Sequence, residues 1–188
     1  MQARDIPNLI TGVRLLLVVP IVACLLSGRY GWALTLFVIA GVSDALDGFL
    51  AKRFGWTSRL GGLLDPLADK LLLVTCYLAL AWQGLVPIWL TALVLGRDAV
   101  ILGGAVAYHT LIERLDASPS VVSKVNTLSQ LLLVVAVLVN HGARTLPAGW
   151  LDALVYTVIA TTLLSGIDYV WTWGWRAWNK RRGTGRFP

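Results

Sequence analysis

Of the 188 residues, 57% are apolar and only 14% charged; a soluble domain carries about 25% charged residues, so water is not this chain's main solvent. The net charge of +6 does not point to nucleic acid, because the basic residues form no recognition stripe. Arg176, Lys180, Arg181, Arg182 and Arg186 crowd the C-terminal end, the position of a cytosolic anchor beside anionic lipid.

Six apolar spans are predicted, at roughly 7–27, 31–53, 61–83, 86–110, 121–140 and 147–175, each near the length that crosses a bilayer. The first contains the run Leu15 to Leu26 preceded by Arg14. It lacks an A-x-A-like cleavage site and further spans follow, so it reads as a retained helix and not a signal peptide. Arg4 and Asp5 suit the start of a short surface helix before it. Breaks fall at Gly28-Arg29, Phe54-Gly55-Trp56, Gln83-Gly84, Glu113 to Ser120 and Asn140 to Pro147. The expected fold is all-α: a polytopic membrane protein with six transmembrane helices in one domain, 1–188, ending in a flexible basic tail from about 177.

Arg4, Lys52, Arg53, Arg59, Arg114 and the five tail residues fall on one side of this topology, against Arg29 and Arg144 on the other. Both termini are therefore predicted to be cytosolic. The nine tryptophans fit interfacial anchoring, with Trp171, Trp175 and Trp178 on one helical face. Cys24 and Cys76 lack CxxC spacing and read as buried thiols. His109 and His141 sit at span ends, where we expect no catalytic role.

Asp44, Asp47, Asp65 and Asp69 lie inside spans two and three. Each costs about 2.5–3.5 kcal/mol on insertion scales, roughly 10–14 kcal/mol for the four by simple addition. Charges that expensive read as functional. Asp44 and Asp47 are i, i+3 and Asp65 and Asp69 are i, i+4, so each pair shares a helix face. At about 1.5 Å per residue, Asp44 and Asp69 both lie roughly 12 Å from the link 52–60, and Asp47 and Asp65 roughly 8 Å. Four carboxylates thus converge on one cytosol-facing pocket, where protonation or cations must offset their charge. An all-oxygen donor set suits Mg2+ or Mn2+, and two such ions clamp the attacking and leaving oxygens of a displacement at phosphorus. With neither HExxH nor a His/Cys cluster, zinc is not expected.

Gly48 and Ala51 share that face; their spacing alone is equally compatible with close helix packing and with room for a nucleotide. Arg14, Arg97, Asp98, Lys124, Asn126 and Asp168 are also polar positions within or near the cytosolic halves of their spans. Snorkelling accounts for Lys124 but poorly for Arg97, which either pairs locally with Asp98 or faces a substrate phosphate.

The segment Asp44-Ala-Leu-Asp-Gly-Phe-Leu-Ala-Lys52, eight further residues, and Gly61-Gly-Leu-Leu-Asp-Pro-Leu-Ala-Asp69 resemble the CDP-alcohol phosphotransferase signature D-x2-D-G-x2-A-R-x8-G-x3-D-x3-D. Every spacing matches; Lys52 replaces the signature's Arg, keeping the charge without the bidentate fork. The likeness extends over nearly the whole chain, including Ile6-Pro-Asn-Leu-Ile-Thr-Gly-Val-Arg14. The resemblance implies a homodimer with CDP-diacylglycerol as donor and CMP as leaving group. It implies two metal ions held by Asp44, Asp47, Asp65 and Asp69, with Asp69 as general base. It also implies a CDP site formed by Asp44, Asp47, Gly48, Ala51, Lys52, Gly61 and Asp65.

Two subfamilies are similar. Phosphatidylglycerophosphate synthases commonly read G-K-x-K-T at the start of span five, whereas eukaryotic-type cardiolipin synthases read S-K-V-N-T there and R-D in span four. This chain has Ser123-Lys-Val-Asn-Thr127 and Arg97-Asp98. Asn126 in place of a second Lys suits the less charged acceptor, phosphatidylglycerol, over glycerol 3-phosphate. Arg97, Lys124 and Asn126 are the expected acceptor contacts. A cation transporter using the Asp cluster as an ion path is the rival reading, but no repeat or outer-half polar path supports it. The compact length and the lack of a transit-like N-terminus lead us to expect a bacterial inner membrane.

Overall fold

The computed structural model describes residues 6–54, 61–111 and 120–183, with the side chains at 6–9, 45, 47–54, 61–67, 105–111 and 173–183 outside the description. Among the described residues every regular element is a helix: α1 (Ile6–Leu26), α2 (Tyr30–Phe54), α3 (Gly61–Trp82), α4 (Ile88–Leu111), α5 (Val121–Gly142) and α6 (Trp150–Gly183). The chain forms two compact units, Met1–Ile88 with Val134–Leu151, and Trp89–Leu133 with Asp152–Pro188.

The predicted breaks at Gly28 and Gly84 are helix C-termini built alike. Gly28 has φ 69° and Gly84 φ 71°, the left-handed conformation that glycine adopts without steric penalty. Arg29 N–H donates to the Cys24 carbonyl and Gly28 N–H to that of Leu25; Leu85 and Gly84 repeat the pattern on Leu80 and Ala81. These are Schellman closures, which satisfy carbonyls left over at a helix end. A Cβ on Gly84 would meet nothing within 4 Å, so Gly84→Ala tests backbone conformation alone. We expect it to destabilise the protein by about 1–2 kcal/mol, read as a lower Tm in detergent.

α6 departs from its predicted span at both ends. It starts at Trp150 and not at 147, because Pro147 and Gly149 form a turn: Gly149 has φ 84° and Trp150 N–H reaches the Pro147 carbonyl at 3.3 Å. It runs on to Gly183, so Lys180, Arg181 and Arg182 are helical and not part of a separate tail. The 175–182 segment holds no Gly or Pro to stop it.

The distribution of side chains is that of a protein solvated by lipid. Leu16, Val19, Leu78, Leu102, Leu164 and Ile167 are exposed, while Arg14, Arg97, Asn126, Gln130 and Ser165 are buried. Exposed Thr35 and Thr157 and half-buried Ser43 turn their hydroxyls back onto the carbonyls of Gly31, Ala153 and Ile39, which satisfies a donor where water is lacking. Among the described residues two helical stretches are long and apolar enough to cross a membrane, Val121–Gly142 and Trp150–Thr172. Ile10–Leu26 and Tyr30–Asp44 are shorter apolar helices. Both cysteines are free, Cys76 buried and Cys24 partly so.

Within the first unit α1 packs against α2 and α3. Gln83 Nε2 donates to the carbonyls of Leu25 and Leu26, both at 3.0 Å, so the C-terminal ends of α1 and α3 lie level. The N-terminal turn of α2 meets the last turn of α5: a Cβ on Gly142 would fall 2.5 Å from Gly31 N, and Tyr30 and His141 rings lie 5.6 Å apart. Exposed Trp32 and Trp82 stand at this same end of the unit, where interfacial tryptophans are favoured.

Candidate active site

The levelled helix ends set the depth of the charged residues. Arg14 lies fourteen residues before Gly28, Asp44 sixteen after it, and Asp69 fifteen before Gly84. At about 1.5 Å per residue these three positions share a depth of roughly 21–24 Å from the capped end. They also face one another. Arg14 Nη2 lies 2.5 Å from Asp44 Oδ1 and Nη1 lies 2.8 Å from Asp69 Oδ1, so one planar guanidinium joins a carboxylate of α2 to a carboxylate of α3. Arg14 is 1% exposed, whereas the Asp44 and Asp69 side chains are 40% and 45% exposed. The cation is thus the buried floor, and the two carboxylates open outward from it.

Asp47 follows Asp44 by one turn on α2, and Asp65 precedes Asp69 by one turn on α3; their side chains lie outside the described residues. So do the side chains of Ala51 and Lys52 on α2, and the surroundings of Gly48 and Gly61. Asp44 and Asp69 can be tested for metal binding on their own. They are hard, anionic oxygen donors from two helices, and both reach the same cation, here the Arg14 guanidinium. Hard oxygen donors of this kind suit hard divalent cations, and among the described residues no group of three or more His, Cys, Asp or Glu side chains stands together.

In the sequence Arg14 stands as a charge inside an apolar helix with no assigned partner. The signal was available: a buried arginine in an apolar helix needs an anionic partner, and counting from the capping glycines leads to Asp44 and Asp69.

The second unit holds another polar group. Arg97, on α4, donates through Nη1 to Asp98 Oδ1 at 2.7 Å and through Nη2 to Ser123 Oγ of α5 at 2.7 Å. Nη2 also bonds Ser165 Oγ of α6. The local pair with Asp98 therefore exists, and two hydroxyls complete it: Ser123, which opens the Ser123–Thr127 motif, and Ser165, which the sequence did not mark. Asn126 is fully buried: its Oδ1 accepts from Thr162 Oγ1 at 2.9 Å and Thr161 Oγ1 at 3.1 Å, both on α6. Arg97 Nε and Asn126 Nδ2 are buried without a hydrogen-bond partner among the described residues. Lys124 is exposed one turn from the start of α5, and Asp168 is partly buried on α6.

A family model described as CDP-alcohol phosphatidyltransferase matches residues 4–172. The chain belongs to the CDP-alcohol phosphatidyltransferase family. The match includes α1 with Arg14 and both Asp-bearing helices. Among curated relatives, a cardiolipin synthase (CMP-forming) of Rattus norvegicus is 33% identical over 180 residues, covering 87% of this chain and 60% of its own length. One of Streptomyces coelicolor is 47% identical over 72 residues, 38% of this chain and 34% of its own. A CDP-diacylglycerol–glycerol-3-phosphate 3-phosphatidyltransferase of Oryza sativa is 35% identical over 159 residues, 73% of this chain and 48% of its own. The chain thus spans 60% or less of the length of these curated relatives.

Proposed function

We propose that the chain catalyses transfer of a phosphatidyl group from CDP-diacylglycerol to the hydroxyl of phosphatidylglycerol, giving cardiolipin and CMP. The observation that carries this reading is the meeting of Asp44 and Asp69 at one cation, in a chain of the CDP-alcohol phosphatidyltransferase family. The cardiolipin synthase (CMP-forming) relatives of rat and Streptomyces support the choice of acceptor.

In this reading the site is a cytosol-facing pocket of a six-span protein in a bacterial inner membrane, with both termini cytosolic and the whole of 1–188 as one homodimeric catalytic domain. Asp44, Asp47, Asp65 and Asp69 hold two Mg2+ or Mn2+ ions. When bound, these ions supply neutralisation of the diphosphate and polarisation of its oxygens. Asp44, Asp47, Gly48, Ala51, Lys52, Gly61 and Asp65 hold the CDP moiety. Asp69 takes the proton from the acceptor hydroxyl as its oxygen bonds to the lipid-bearing phosphorus, and the bond from that phosphorus to CMP breaks. Arg97 and Lys124 bear the charge that recognises the acceptor phosphate. Asn126 is the third residue of this proposed acceptor set; with no second ammonium at its position, the set suits a phosphodiester over a dianionic phosphomonoester.

The glycerol 3-phosphate acceptor is the second reading, favoured by the rice relative. A transfer assay separates the two. Purified protein is given CDP-diacylglycerol and Mg2+ with either phosphatidylglycerol or glycerol 3-phosphate, and the lipid product is identified by mass. Cardiolipin formed only with phosphatidylglycerol is the expected result. Phosphatidylglycerophosphate instead transfers the assignment to the second acceptor.

A further inference from the structure

We infer that Arg14 is a built-in counter-cation: it occupies Asp44 and Asp69 in the metal-free protein, and a divalent ion must compete with it for those carboxylates. The inference rests on the proposed metal-holding role of these residues, and goes beyond it by assigning Arg14 to the control of metal affinity.

Three observations carry it. First, Arg14 is 1% exposed and is presented from the interior of α1, so its charge has no aqueous outlet and must be answered by protein. Second, its two terminal nitrogens are divided between helices, Nη2 on Asp44 of α2 and Nη1 on Asp69 of α3. The fixed fork of a guanidinium can serve two carboxylates at once, which an ammonium does less well. Third, both carboxylates are partly exposed above it, so an arriving cation reaches the same anions from the open side. Like charges then face each other across shared ligands, and their repulsion weakens the incoming ion. What the arrangement gains is assembly: α1, α2 and α3 pack with their intramembrane carboxylates already neutralised in part.

A purely structural staple and a counter-cation predict different results. Losing a staple lowers the Tm by the same amount with and without metal. Losing a counter-cation lowers the metal-free Tm and enlarges the rise on adding metal, because the ion now binds carboxylates that Arg14 no longer holds. The test uses the full chain purified in detergent with Mn2+, stripped by chelation, and melted with and without added Mn2+. For Arg14→Met we expect about tenfold tighter Mn2+ binding, seen as a Mn2+-induced Tm rise about 3–5 °C larger than wild type, and a directly titrated Kd lowered to match. Arg14→Lys, which keeps the charge, should give a rise between the two. If Arg14→Met does not survive chelation, Arg14→Lys decides by itself. A rise equal to or smaller than wild type in the variant overturns the counter-cation role. No Mn2+-induced rise in wild type or variants overturns the metal-holding reading, and the inference with it.

Discussion

Asp69→Asn should lower phosphatidyl transfer by about 10^2–10^4-fold, the range contributed by a positioned general base, while the protein stays folded and inserted. Asn has the shape of Asp but cannot accept the acceptor's proton. The fold should tolerate the change for a structural reason. Arg14 Nη1 contacts Asp69 through Oδ1, and an amide oxygen at the same place still accepts that hydrogen bond. The second anchor, Arg14 Nη2 to Asp44 at 2.5 Å, is untouched. Neutralising Asp69 leaves the buried guanidinium one of its two carboxylates, Asp44, to answer its charge. The measurement is CMP release and lipid product with CDP-diacylglycerol, alongside size-exclusion behaviour and Tm. Wild-type turnover in the variant removes Asp69 as the base; loss of the folded peak shows that its charge is structural.

Gly142→Ala should lower stability by about 1–3 kcal/mol, the range for a side chain forced into a packed site, and more than Gly31→Ala. A Cβ on Gly142 would lie 2.5 Å from Gly31 N and 2.6 Å from the Tyr30 carbonyl carbon. Both are backbone atoms, so no rotamer change relieves the clash. The reciprocal Cβ on Gly31 would lie 3.2 Å from the Gly142 carbonyl oxygen, a contact that a shift of a few tenths of an ångström relieves. Small residues at helix contacts permit this backbone approach in membrane proteins. The order of the two melting temperatures is the test: a Gly142→Ala protein as stable as wild type, or more stable than Gly31→Ala, means that α2 and α5 do not approach so closely.

Both predictions concern features of different legibility. The carboxylates were readable because their i, i+3 and i, i+4 spacing is a property of a single helix. The Gly142 contact was not, because nothing in Asn140-His141-Gly142 says which other backbone lies across from it. Asn126 lies between these cases. Its identity, against the lysine of the alternative subfamily pattern, was legible and suggested an acceptor. Its complete burial against Thr161 and Thr162 of α6 depends on how α5 is rotated about its own axis.

The sequence by itself determined the helical segments, the glycine stops at Gly28 and Gly84, the spacing of the four aspartates and the family to which they point. All of these follow from local geometry: rise per residue, side-chain period and the conformations open to glycine. Only the tertiary structure decided which cation answers Asp44 and Asp69. Arg14 is 30 and 55 residues away in the chain, and the pairing forms because Gln83 levels the ends of α1 and α3 and the helices turn their charged faces together. The same holds for Arg97, whose hydroxyl partners Ser123 and Ser165 come from two other helices. A buried charge states that it needs a partner; which side chain meets that need is set by helix depth and rotation, which arise only when the helices pack.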